Sequence, residues 1–146
     1  MRVDISDRKD SRRIDDIQRM LSKVFWSPGI TKNEILKGIK NSALVVGAYT
    51  EKGEQIGFLR VVSDKVRFAY LMDVVVHENY RRQGIGQKMV RFALSHPELK
   101  DVNQWILRTL DAHGVYKKLG FEPLKNPEKW MSLMKPRPDR PTFTGG

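Results

Sequence analysis

The apolar residues of this chain repeat with two different periods, and the switches between them mark out its elements. Val3 and Ile5 alternate with polar neighbours, as in a short strand with one buried face. Ile14, Ile17, Met20, Leu21, Val24 and Phe25 then recur at steps of three and four, which places them on one face of a helix. Asp10 or Ser11 is positioned to cap that helix, and Trp26-Ser27-Pro28-Gly29 to stop it. Thr31, followed three residues later by Glu34, forms a capping box, and Ile35, Leu36 and Ile39 make the buried stripe of a second helix that ends at Asn41-Ser42. From Ala43 to Tyr49 and from Gln55 to Val62 the residues are largely apolar or β-branched, and the intervening Glu51-Lys52-Gly53-Glu54 turns them into a hairpin. Phe68 to Val76 is a longer strand whose unbroken Val74-Val75-Val76 predicts burial on both faces and a central place in a sheet.

The helical period returns from Gln87 to Ser95, with Met89, Val90, Ala93 and Leu94 inward, until His96-Pro97 breaks it. Trp105 to Leu110 reads as a strand and Ala112 to Leu119 as a short helix running into Gly120. Phe121 and the segment Trp130 to Met134 are expected as two last strands around the Pro123 to Pro127 loop. This order of elements predicts an α/β (α+β) fold, a mixed sheet antiparallel in its first half, in one domain over residues 1–135. Residues 136–146, rich in proline and glycine, are expected as a tail that is mobile or lies along the surface.

Composition narrows the chemistry. At 146 residues the chain can bury a sufficient core without staples. It has no cysteine, and His77, His96 and His113 lack the spacing of a metal site, so no metal is expected and the chemistry falls to other side chains or a bound cofactor. Met1 to Asp10 is polar, and no apolar run approaches the roughly 20 residues that span a bilayer, which reads as a soluble, cytoplasmic protein without a membrane partner. The formal net charge of +10 suits nucleic acid, an anionic membrane face or a multiply phosphorylated small molecule. The basic residues are spread out, however, with only short pairs such as Arg12-Arg13, Arg81-Arg82 and Lys117-Lys118, and no aromatic and basic residues interleave as in a nucleic-acid surface. A solvated basic surface is the commoner meaning of such a charge.

Between the Val74-Val75-Val76 strand and the next helix lies Arg81-Arg82-Gln83-Gly84-Ile85-Gly86. Helix-start N–H groups lack internal partners there, glycines at 84 and 86 let the main chain approach a phosphate, and two arginines supply charge at the rim. A lone Gly-x-Gly also serves as an ordinary helix-entry turn. Here it stands with a second motif, Ala112 four residues before Tyr116, then Gly120-Phe121. With both motifs in this order, the chain resembles the GNAT superfamily of N-acetyltransferases, whose pyrophosphate signature is met at Arg81, Gly84 and Gly86.

The resemblance implies a central sheet of six to seven strands, about four flanking helices, and acetyl-CoA bound in a splay between two central strands. It implies that Val74, Val75 and Val76 pair with the pantetheine arm, and that the backbone from Arg81 or Arg82 through Gln83, Gly84, Ile85 and Gly86, with Gln87 and Lys88, holds the pyrophosphate. Thr109 stands where the family often has an asparagine touching the cofactor, with a shorter reach. The implied activity is acetyl transfer to a primary amine by direct attack in a ternary complex. An acceptor like lysine, with pKa near 10.4, costs more than about 4 kcal/mol to deprotonate at pH 7, so a base or water chain must help. Asp73 is placed for base or substrate anchor, or else is a polar residue on the less buried strand face. Tyr116 is placed to protonate the departing thiolate, or else packs on its helix. The acceptor pocket is implied near Phe25, Trp26 and Asn41-Ser42, and His113 either lines it or caps the last helix. The competing reading is a non-catalytic module that binds acyl-CoA or a protein on the same fold. Homodimerisation through sheet edges or the last strands is compatible with the sequence.

Overall fold

The predicted hairpin is the centre of the structure, a computed structural model that describes residues 2–136. Strands β2 (Leu44–Thr50) and β3 (Gln55–Ser63) pair antiparallel around a turn in which Gly53 takes φ +85°. Strand β1 (Val3–Ser6) joins β2 and β4 (Phe68–Val76) joins β3, both antiparallel, while β5 (Gln104–Ile106) joins β4 in parallel. The sheet is therefore mixed and antiparallel in its first half, as the element order predicts, with strand order β1-β2-β3-β4-β5.

Helices α1 (Ile14–Ser22) and α2 (Lys32–Lys40) cover one face and α3 (Ile85–Leu94) the other. Successive residues of a strand point to opposite faces, so Val46 and Leu59 pack with Ile85, Met89, Val90 and Ala93 of α3, while Val45 and Phe58 pack with Ile17, Leu21, Ile35 and Ile39. Each of the Val, Leu, Ile, Phe and Met side chains, fully buried, is worth roughly 1.5–3 kcal/mol. Gly57 permits the close approach of α3, because a Cβ there would lie 2.9 Å from the Met89 sulfur and 2.9 Å from the Ala48 Cβ. Seating α3 this low fixes the loop that precedes it. The capping box starts α2 as expected: the Thr31 hydroxyl accepts from the Glu34 N–H at 3.1 Å and the Glu34 carboxylate from the Thr31 N–H at 3.4 Å.

The structure corrects several expectations. Neither Asp10 nor Ser11 caps α1, because residues Lys9–Ser11 close a 3-10 turn of their own. The start of α1 is tied instead to β3, where the buried Gln55 side chain accepts from the Arg13 N–H at 2.9 Å and the Gln55 N–H donates to Asp16 at 3.2 Å. Helix α1 ends at Ser22, short of Val24 and Phe25, and Leu36 is 49% exposed rather than part of the buried stripe. Helix α3 begins two residues early, at Ile85. Strand β5 stops at Ile106, and helix α4 (His113–Lys118) follows a loop. Phe121 and Trp130 to Met134 do not form strands, so the sheet has five strands among the described residues rather than six or seven. The apolar character of Trp130–Met134 suits a strand, but pairing needs a partner edge, and the segment meets none among the described residues. The expected tail lies, from residue 137 on, outside the described residues. No helix among the described residues is long and apolar enough to cross a membrane.

Candidate functional site

Strand β4 changes partner along its length. Phe68, Ala69 and Tyr70 pair in parallel with Gln104, Trp105 and Ile106, after which β5 ends and β4 continues without a strand on that side among the described residues. On its other side the register with β3 slips: Arg60 faces Met72 and Phe58 faces Val75, so Asp73 and Val74 oppose Leu59 alone. This is a β-bulge, and Asp73 within it takes φ +58°, a left-handed conformation that aspartate and asparagine tolerate better than most residues. A bulge bends the strand that carries it, and beyond Tyr70 neither β4 nor the chain that follows β5 is paired with the other. Between them opens a cavity of about 350 Å³, lined by Tyr70–Val74 on one wall, Leu107–Ala112 and Tyr116 on the other, and Phe25 and Trp26 at one end.

The loop expected to hold phosphate lies past the end of β4. Residues Glu78–Tyr80 make a 3-10 turn, Arg82 is left-handed at φ +65°, and Gly84 is the N-cap of α3 at φ +76°. Gly84 has no side chain to cap the helix, and the first bond of α3 runs from the Lys88 N–H to the Gly84 carbonyl. The N–H groups of Ile85, Gly86 and Gln87 thus have no intrahelical acceptor and form a concentrated positive end of the helix dipole. The Arg81 guanidinium donates to the Val76 carbonyl at 3.1 Å, bracing the loop against the strand, and the buried Ile85 side chain pins it to the core.

Gly86 is the informative residue here. Its φ is not left-handed, so the backbone does not require glycine, and a Cβ would meet only the Val76 side chain at 3.8 Å, an ordinary contact. A glycine within a helix costs up to about 1 kcal/mol relative to alanine. Neither backbone nor packing requires glycine here, and its absent side chain leaves the main chain open to close approach from outside. That is the fit expected of a diphosphate-bearing cofactor.

At the end of the cavity near Trp26, the Asp73 carboxylate accepts from Trp26 Nε1 at 3.2 Å through one oxygen and pairs with Arg60 Nε at 2.8 Å through the other. Arg60 also reaches the Ser42 hydroxyl at 3.4 Å, and that hydroxyl donates to the Gly38 carbonyl at 2.7 Å. The pair is largely withdrawn from solvent, with side-chain exposures of 18% for Arg60 and 13% for Asp73. Phe25 stands edge-on to Trp26, ring centroids 5.2 Å apart. Across the cavity, Tyr116 packs edge-on against Phe121 at 5.9 Å, and burial pushes its phenol above the ordinary value of 10, which keeps the proton on Oη.

The structure thus brings Phe25, Trp26, Asp73, Val74, Thr109 and Tyr116 to one cavity. Thr109 Oγ1 accepts from the Ala112 N–H at 3.0 Å, so its hydroxyl also holds the turn into α4. Ser42 reaches the site only through Arg60, and His113 sits exposed at the first position of α4, outside the cavity lining. Glu78 bonds Lys23 at 3.0 Å, which holds its carboxyl below the usual range. Arg60, which holds the Asp73 carboxylate, is not among the residues expected from the sequence. Its signal was available: Arg60 is the one charge within apolar β3, as Asp73 is within β4.

Comparison with known proteins bears on the family and the fold. A family model described as an acetyltransferase (GNAT) domain matches residues 41–123, which take in the hairpin, β4, the glycine loop and Tyr116. A solved structure from Xanthomonas campestris pv. campestris, described as belonging to the GNAT family, superposes with a TM-score of 0.86 at 33% identity, over 93% of this chain and 95% of its own. An uncharacterized N-acetyltransferase of Pyropia yezoensis is 25% identical over 122 residues, 77% of this chain and 66% of its own length. A thialysine N-epsilon-acetyltransferase of Mus musculus is 37% identical over 71 residues, 46% of this chain and 42% of its own length. The match therefore spans less than two thirds of these last two relatives.

Proposed function

The chain belongs to the GNAT acetyltransferase family, and on that premise we propose that it is an acetyl-CoA-dependent N-acetyltransferase acting on a primary amine in a ternary complex. The observation that carries the reading is Gly86, a helix glycine that neither backbone nor packing requires, beside the end of β4, whose outer side has no strand partner among the described residues. Acetyl-CoA, when bound, supplies an activated thioester. The residues that would hold it are Arg82 to Lys88 through backbone N–H groups and the basic rim, and Val74, Val75 and Val76 through the open edge of β4. Thr109 lines the opposite wall.

The chain's own groups divide the remaining work. Asp73 has both oxygens engaged by Trp26 and Arg60, but each carboxylate oxygen has a second lone-pair site. It therefore serves as an anchor that accepts a hydrogen bond from the acceptor amine, while the amine proton leaves through water. Tyr116 keeps its proton at Oη at neutral pH and delivers it to the departing sulfur. An unperturbed tyrosine lies about 1.5 units above a thiol, a cost of roughly 2 kcal/mol in water that shrinks where the thiolate is desolvated as well.

The test is thiol release from acetyl-CoA across a panel of amines. Release that depends on the amine is expected, and Tyr116→Phe is expected to lower turnover by about 100- to 10,000-fold with little change in acetyl-CoA affinity. Binding of acetyl-CoA without turnover on any amine, in wild type and Tyr116→Phe alike, would favour the non-catalytic module.

A further inference from the structure

The charges around the cavity already cancel. On its wall the Asp73 carboxylate is held at 2.8 Å by the Arg60 guanidinium, both largely withdrawn from solvent, and its other oxygen accepts from Trp26 Nε1 at 3.2 Å. Arg108 and Asp111 also line the cavity, but they are opposite in sign and exposed, where water screens them. Most of the remaining lining is apolar or aromatic. Phe25, Trp26, Tyr70 and Met72 all face the cavity, and Phe25 is 50% exposed.

A carboxylate paired in this way attracts a cation only weakly. An ammonium brought beside Asp73 would lose water, and the pull of the carboxylate would be offset by the push of Arg60 behind it. A neutral amine loses less on leaving water and still has an N–H to give to a second lone-pair site of Asp73. How much neutral amine is at hand depends on basicity. At pH 7 an α-amino group, with pKa about 7.8, holds roughly 300 times the neutral fraction of a lysine-like amine with pKa about 10.4.

We propose that the acceptor is a small, weakly basic amine of the α-amino kind on an aromatic or apolar body, and that Arg60 sets this preference by cancelling the charge of Asp73. The inference rests on the reading of this cavity as the place where an amine meets acetyl-CoA. The amine nitrogen then forms its bond to the acetyl carbon without a prior deprotonation, and the bond from that carbon to sulfur breaks. The surplus N–H proton passes to water, and Tyr116 Oη gives its proton to the sulfur, to be restored from water. Arg60 acts here through Asp73 and is a positioning residue, while Phe25 and Trp26 receive the body of the amine.

The test is calorimetric titration of two isomers into the full chain saturated with CoA, which has no acetyl group to transfer. Nε-benzoyl-lysinamide leaves the α-amine free and Nα-benzoyl-lysinamide the ε-amine, and buffers of different ionisation enthalpy at pH 7 count the protons released. The α-amine isomer is expected to bind at least about 10-fold tighter, and each isomer to release about one proton, because both are mostly ammonium in water and neutral when bound. Arg60→Gln keeps an N–H for Asp73 without the charge and is expected to narrow that ratio at least about 3-fold. Phe25→Ala is expected to weaken the α-amine isomer by about 3- to 10-fold through lost ring contact. Equal or tighter binding of the ε-amine isomer, or binding without proton release, means that an ammonium is taken and overturns the proposal. Failure of both isomers to bind overturns it too, as does an unchanged ratio in an Arg60→Gln chain with wild-type circular dichroism. Thiol release is measured separately: if no amine supports it while the isomers bind as expected, the acetyl-transfer reading fails and the amine preference stands.

Discussion

The two parts of this molecule are built by different rules. Every buried residue among those described lies between Asp16 and Leu99, where apolar side chains of β2, β3 and β4 interlock with α3 on one face of the sheet and with α1 and α2 on the other. From Lys100 to Pro136 no described residue is buried, yet this stretch supplies Leu107–Ala112 and Tyr116, a full wall of the cavity. Stability is concentrated in one region and the chemistry straddles its border with the other. The lesson is that the second region adds little to the core, while one of its faces stands open as a wall of the cavity.

Breaking the first region should therefore cost far more than altering the second. Phe58→Ala, at a side chain 1% exposed, is expected to lower stability by about 3–5 kcal/mol in urea unfolding, whereas Val115→Ala on α4 is expected to stay within about 0.5 kcal/mol. Comparable costs would dissolve the contrast. At the border, Asp73→Ala should cost about 2–4 kcal/mol, because it strands the Arg60 guanidinium and removes a residue that tolerates the left-handed backbone. Asp73→Asn keeps the backbone preference and an acceptor for Trp26, so less than half of that loss is expected. Equal losses in the two variants would show that charge pairing alone fixes the bulge.

The smallest effect concerns pH. Burial raises both Tyr49 in the first region and Tyr116 in the second above 10. A group with a raised folded pKa stabilises fully below its unfolded value and loses that contribution as pH rises through the folded one. Stability should hold up to about pH 10 and decline beyond it, and Tyr116→Phe should soften the decline less than Tyr49→Phe if the second region contributes less to the fold. A flat profile from pH 9 to 11.5 would contradict the burial of both phenols.

How much of this was legible in the sequence follows the same border. The alternating runs of β2 and β3 and the capping box at Thr31 are local patterns, and each appears where its period places it. The glycine loop was legible for the same reason, since a strand, two glycines and a helix are contiguous. What escaped depends on distant partners. Helix α1 starts on Gln55, more than forty residues away, and not on its neighbours Asp10 or Ser11. The Asp73 bulge and its pairing with Arg60 require two strands in register, which no window along one strand reveals. Trp130–Met134 has strand composition, but composition says nothing of which edge, or whose, it meets.

The central claim is that Gly86 is kept for a ligand and against the interest of the fold. Thermal unfolding of wild type and Gly86→Ala, each with and without acetyl-CoA and with NADH and ATP as phosphate-bearing controls, tests it directly. At 100 times its dissociation constant a ligand stabilises by about 2.7 kcal/mol, a rise of roughly 5–11 °C for a chain of this size. The account predicts that rise for wild type with acetyl-CoA alone, together with a Gly86→Ala chain that unfolds about 1–4 °C higher than wild type without ligand and gains little or nothing from acetyl-CoA. A wild type indifferent to acetyl-CoA, or a Gly86→Ala variant that responds as fully as wild type, would contradict it.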